Sequence, residues 1–99
     1  MNNETNETDE TANAWFVYML RCADQSLYTG IAKQLDKRLA EHNFDNIKGA
    51  KYTRARRPVE LVYSEAHDSR STACKRESAI KKLSRSEKLL LIASTSTQA

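Results

Sequence analysis

A chain of 99 residues has room for one small domain, and with 39% hydrophobic residues and no long apolar run it offers no membrane-spanning helix. Its two cysteines, Cys22 and Cys74, have no Cys-x-x-Cys spacing and no histidine companions, which argues against a zinc site. The formal charge is +3, but the first thirteen residues hold four acids and no base; residues 14–99 therefore keep all 16 bases against nine acids, an excess of +7 suited to a polyanionic partner.

Residues 1–13 (MNNETNETDETAN) cannot bury enough apolar area to offset the entropy of ordering them, so a disordered acidic tail is expected there. Residues 94–99 have a similar composition and are expected to form a flexible C-terminal tail, leaving 14–93 as the folded part. The run Trp15-Phe16-Val17-Tyr18-Met19-Leu20 has the length and aromatic content of a buried strand. Ala23 to Ser26 reads as a turn and residues 27–32 as a second strand, so 15–32 predicts a hairpin. Gly30 lies inside the second strand, where a glycine marks a bulge or the close approach of a backbone or ligand.

Residues 33–43 predict a helix, with Leu35 and Leu39 packing inward and Gln34, Arg38 and His42 lining the neighbouring face. Lys33 and Lys37 point away from the leucines and read as solvated. Residues 44–58 predict a long basic loop, with Lys48, Lys51, Arg54, Arg56 and Arg57 set against one acid, Asp45. Taken alone, that loop is as readily a solvated surface as a nucleic-acid contact. A third strand is expected over 59–65 and a helix over 69–83, on which Ala73, Ala79, Ile80 and Leu83 share one arc. Arg76 falls within that arc, which either weakens the pattern or means that its aliphatic stem snorkels. Ser84 and Glu87 form a capping box that opens a last helix over 85–93. The order β-β-α-β-α-α predicts an α+β domain, a three-stranded antiparallel sheet flanked by helices.

Tyr18 and Tyr28 on paired strands, then Arg38 and His42 one helical turn apart, suggest a site built for phosphate chemistry. The chain resembles the GIY-YIG nuclease family, most closely its small stand-alone bacterial members. Phe16-Val17-Tyr18 takes the place of the first motif, Tyr28-Thr29-Gly30 that of the second, and Arg38, His42 and Glu77 match the family's later Arg, His and Glu. The first motif lacks its Gly and Ile, and Thr29 replaces Ile in the second. No Asn follows Asn46, where many members carry one late in the module.

The resemblance implies a metal-dependent endonuclease acting on DNA, with branched, damaged or single-stranded DNA as candidate substrates and RNA as another polyanion of the right kind. A role in DNA repair or processing is the corresponding expectation. It implies one Mg²⁺ or Mn²⁺ held by Glu77 through oxygen, Arg38 on the phosphate, and Tyr18 as general base or its relay. Tyr28 would position the water or phosphate, and His42 would accept or relay the proton. The alternative is a non-catalytic nucleic-acid-binding protein that keeps the fold. A helix-turn-helix reading of residues 70–92 fits less well, because the second helix is leucine-rich. Lacking an attached specificity domain, such a module is expected to draw target choice from the basic loop, a partner protein or a homo-oligomer. A cytoplasmic location with reduced thiols is expected.

Overall fold

The computed structural model describes residues 14–96, so the expected N-terminal tail lies outside the described residues. Three strands, β1 (Trp15–Arg21), β2 (Leu27–Ala32) and β3 (Glu60–His67), form one sheet in the order β2-β1-β3. Both pairings are antiparallel, with Tyr18 opposite Gly30 on one side and opposite Ser64 on the other. Helices α1 (Leu35–Phe44) and α2 (Lys51–Arg54) lie between β2 and β3 in the chain, and α3 (Arg70–Lys81) and α4 (Arg85–Ser96) follow β3. The α+β architecture is the expected one.

The unbroken apolar run of β1 follows from its central position. Successive side chains alternate between faces, and both faces are covered, so Val17, Tyr18, Met19 and Leu20 are all buried. Val17 and Met19 join Tyr63, Ala73, Ile80 and Ile92 in the core under α3 and α4. Tyr18 and Leu20 join Cys22, Ala32 and Val59 on the other face, against Leu35 and Leu39 of α1. The hairpin turn closes on Asp24, whose Oδ1 accepts from the Ser26 N–H at 3.0 Å and its hydroxyl at 2.6 Å.

Several boundaries differ from the sequence expectation. The segment 44–58 is not all loop: Lys51–Arg54 forms α2, a single turn too short to show a periodicity. β3 runs to His67 and α4 to Ser96, three residues into the expected tail. The bulge lies between β1 and β3, at Met19/Leu20, and not at Gly30. Ala79 is exposed, while Ala73 and Ile80 are buried as expected. The Arg76 head group has a partner on the sheet: its Nε donates to both carboxylate oxygens of Glu65 on β3, at 3.2 and 3.0 Å. The capping box is formed, with Ser84 N–H donating to Glu87 Oε1 at 2.8 Å and Glu87 N–H to Ser84 Oγ at 3.2 Å.

Candidate active site

The site grows out of β1. Tyr18 is 2% exposed, and the sheet register sets it across from Gly30. A Cβ added at Gly30 would lie 2.6 Å from the Tyr18 hydroxyl oxygen, so the glycine is there to admit a side chain from the neighbouring strand. In that space the Tyr18 hydroxyl meets His42 Nε2 at 2.8 Å. His42 is fully buried on α1, and its Nδ1 lies 2.8 Å from Thr53 Oγ1 on α2. The Thr53 hydroxyl donates in turn to the Ala50 carbonyl at 3.0 Å.

This chain of three bonds fixes the tautomer. A hydroxyl has one proton, and Thr53 gives its proton to Ala50. His42 must then donate from Nδ1 to Thr53 and accept at Nε2 from the Tyr18 hydroxyl. The opposite tautomer forfeits the Thr53–Ala50 bond. Burial, aided by the Arg38 charge, pushes His42 down to about 4, so the imidazole is neutral near pH 7. Burial pushes Tyr18 up to about 12 against the lowering pull of Arg38, with Tyr28 and Glu77 adding to the rise. Tyr18 is therefore a protonated phenol beside a neutral imidazole, and it senses Arg38, Tyr28 and Glu77.

The other expected site residues take up positions around this pair. The Tyr28 ring lies 5.1 Å from His42 and 6.4 Å from Tyr18, centroid to centroid, on the same face of the sheet. Arg38 Nη1 donates to Glu41 Oε1 at 2.9 Å and to the Lys48 carbonyl at 2.7 Å. Burial works against the Arg38 charge, but Glu41 and Tyr18 hold its affinity for a proton above the ordinary value. Arg38 also lines a cavity of about 390 Å³ with Lys33, Gln34, Lys37 and Glu41, so the two lysines read as merely solvated stand beside the site. Glu77 comes from α3 and pairs with Lys81 at 3.2 Å.

The basic loop divides. Arg57 is part of the scaffold: it donates to the His42 carbonyl at 2.7 Å, Asn46 Oδ1 at 2.9 Å and the Asp45 carbonyl at 2.9 Å. Arg57 thereby supplies a donor to the His42 carbonyl in the last turn of α1 and a second donor to the Asp45 carbonyl, which also accepts from the Gly49 N–H at 3.0 Å. Arg54 donates to the Asn46 carbonyl. Arg56 pairs with Asp24 at 3.0 Å and lies 3.8 Å over the Tyr52 ring. Lys48 and Lys51 are exposed, with no side-chain partner among the described residues.

Sequence reasoning missed Thr53, which orients His42, and Tyr52, which stacks on Tyr28 at 6.0 Å. Both sit in the segment read as loop, and no spacing links Thr53 to His42. Among the described residues no group of three or more His, Cys, Asp or Glu side chains converges to hold a metal. A cation here would have one protein carboxylate, Glu77, and fill its other positions with water and phosphate. That donor set fits a hard ion such as Mg²⁺ or Mn²⁺. No helix among the described residues is long and apolar enough to cross a membrane.

Comparison with known proteins identifies the family and the fold. The GIY-YIG catalytic domain matches residues 14–89. A UPF0213 protein of Desulfotalea psychrophila is 55% identical over 86 residues, 87% of this chain and 76% of its own. The solution NMR structure of an E. faecalis protein superposes with a TM-score of 0.58 at 40% identity, covering 85% of this chain and 88% of that one. That of a UPF0213 protein from Bacillus halodurans gives 0.52 at 41% identity, covering 81% and 83%. A domain match of this extent, with relatives this similar, assigns the chain: it belongs to the GIY-YIG family, within the nuclease superfamily.

Proposed function

We propose that this protein is a metal-dependent endonuclease that hydrolyses phosphodiester bonds in DNA, in repair or processing. The observation that carries the reading is the buried Tyr18–His42–Thr53 chain, which runs a proton path from the site into neutral imidazole. Tyr18 cannot act as a free phenolate, because burial holds its proton firmly. It acts as a relay: as its oxygen takes a proton from the attacking water, its own proton passes to His42 Nε2. The imidazolium so formed donates from both nitrogens, to Tyr18 and Thr53. Arg38, braced through Nη1 by Glu41 and Lys48 and interacting with Tyr18, would hold the phosphate beside the relay. Tyr28, at the rim of the pair, positions the water or phosphate. Glu77 would hold one Mg²⁺ or Mn²⁺, which when bound supplies charge stabilisation at the phosphate.

The Glu77–Lys81 ion pair favours the second reading, a nucleic-acid-binding protein without turnover, because it already gives the carboxylate a partner. Nicking of plasmid and single-stranded DNA with Mg²⁺ or Mn²⁺ separates the two. The expected result is metal-dependent cleavage that Glu77→Ala abolishes while nucleic-acid binding persists. Binding with no cleavage of any nucleic acid, in the presence of either metal, establishes the second reading instead.

A further inference from the structure

At the start of β2 there is a second cavity, about 230 Å³, lined by Leu27, Tyr28, Thr29, Tyr52, Lys81 and Lys88. It lies where the edge strand meets α2 on one side and α3 and α4 on the other. Its lining includes two lysines and no acidic residue, and the Lys81 ammonium pairs with Glu77 at 3.2 Å. Thr29 is 4% exposed, and its hydroxyl is the buried side-chain polar atom without a hydrogen-bond partner among the described residues. An unpaired buried hydroxyl is costly and rare in folded proteins, and it calls for a partner supplied from outside. Two lysines lining one hollow, with an unused buried hydroxyl on a residue of that lining, suit a phosphate oxygen. The hollow is smaller than the roughly 300–1,000 Å³ typical of sites for whole small ligands, so it suits part of a strand better than a free nucleotide.

We propose that Thr29, Lys81 and Lys88 form a second phosphate subsite, which holds the backbone phosphate of a nucleotide flanking the one cleaved. The inference deepens the nuclease reading by giving the strand a second fixed point beside Tyr28. Lys81 links the two points, since it lies between Glu77 and the hollow. Tyr28 and Tyr52, whose rings stack, also line the hollow, so the phosphate enters at the unpaired edge of β2.

The test measures binding in chelator, so it does not depend on cleavage. A fluorescent single-stranded oligonucleotide is titrated with full-length protein over a range of salt concentrations, for wild type, Lys88→Ala and Thr29→Val. Loss of one phosphate contact should reduce the log–log salt slope of Lys88→Ala by about 0.7. Thr29→Val keeps the side-chain shape and removes the hydroxyl; its affinity should fall about fivefold while its melting temperature rises. An unchanged slope for Lys88→Ala, or undiminished affinity for Thr29→Val, overturns the assignment. So does displacement of the oligonucleotide by inorganic phosphate at micromolar concentration, which would mark a free-anion site. If the protein cuts nothing yet these shifts appear, the subsite stands and the nuclease reading falls.

Discussion

Two tyrosine–histidine pairs lie on opposite faces of the same sheet, and they behave differently. Tyr18 and His42 meet in a buried chain whose third member is the Thr53 hydroxyl. Tyr63 and His67 meet at Glu65, which also receives Arg76. The difference is the carboxylate. Burial opposes the Glu65 charge, yet hydrogen bonds from Tyr63, His67 and Arg76 hold its pKa below the usual range. That anion holds the Tyr63 proton and the Arg76 charge in place. The Tyr18–His42 pair has a neutral hydroxyl in the same position, so its imidazole keeps a lone pair ready to take a proton. Residue types alone do not distinguish a relay from a clamp; the charge of the third partner does.

The comparison can be broken first at the tyrosines. Tyr18→Phe should lower the single-turnover nicking rate by roughly 10²–10⁴, the usual contribution of a positioned proton acceptor. Tyr63→Phe should leave that rate unchanged. Equal losses in the two variants would erase the distinction.

The next effect is in stability against pH. His42 titrates at about 4 when folded and near its ordinary 6.5 when unfolded, so the unfolded chain binds more protons between those values. Stability is thus fully present above pH 6.5 and is lost as the pH falls toward 4. The loss between pH 7 and 5 should be about 2 kcal/mol, read by urea denaturation. Asp24, Asp45 and Glu65 all have lowered pKa values, so their losses fall below this window. His42→Gln should therefore flatten the pH 5–7 segment. A slope that survives the substitution would mean His42 is not the titrating group.

The smallest effect concerns the clamp. Glu65→Gln keeps a hydrogen-bonding shape but removes the charge opposite Arg76, a partly exposed pair. It should cost about 1 kcal/mol and leave the pH 5–7 segment intact.

Much of this arrangement could be read from the chain before the structure. The length of the β1 run, the turn at Asp24 and the capping box at Ser84 each act locally, and each formed as expected. Tyr18, Arg38 and His42 were legible because strand alternation and helical spacing are short-range rules. Thr53 was not legible, because its pairing with His42 depends on how the segment after α1 folds back. Arg57 misled for a related reason. A run of arginines looks like a phosphate contact, but the last turn of α1 offers the His42 carbonyl as an acceptor, and Arg57 is spent on it and on the Asp45 carbonyl beside it. The Arg76–Glu65 pair was hidden because helical periodicity says nothing about which strand residue a helix will face.

The narrow gap between Gly30 and Tyr18 has an evolutionary consequence. Any side chain at position 30 would displace the phenol from His42 while leaving the strand's backbone pairing possible. One codon change could therefore disable the proton path without unmaking the fold. Position 30 is thus a simple diagnostic across relatives: those with a residue other than glycine should be the ones that have kept the architecture and given up turnover.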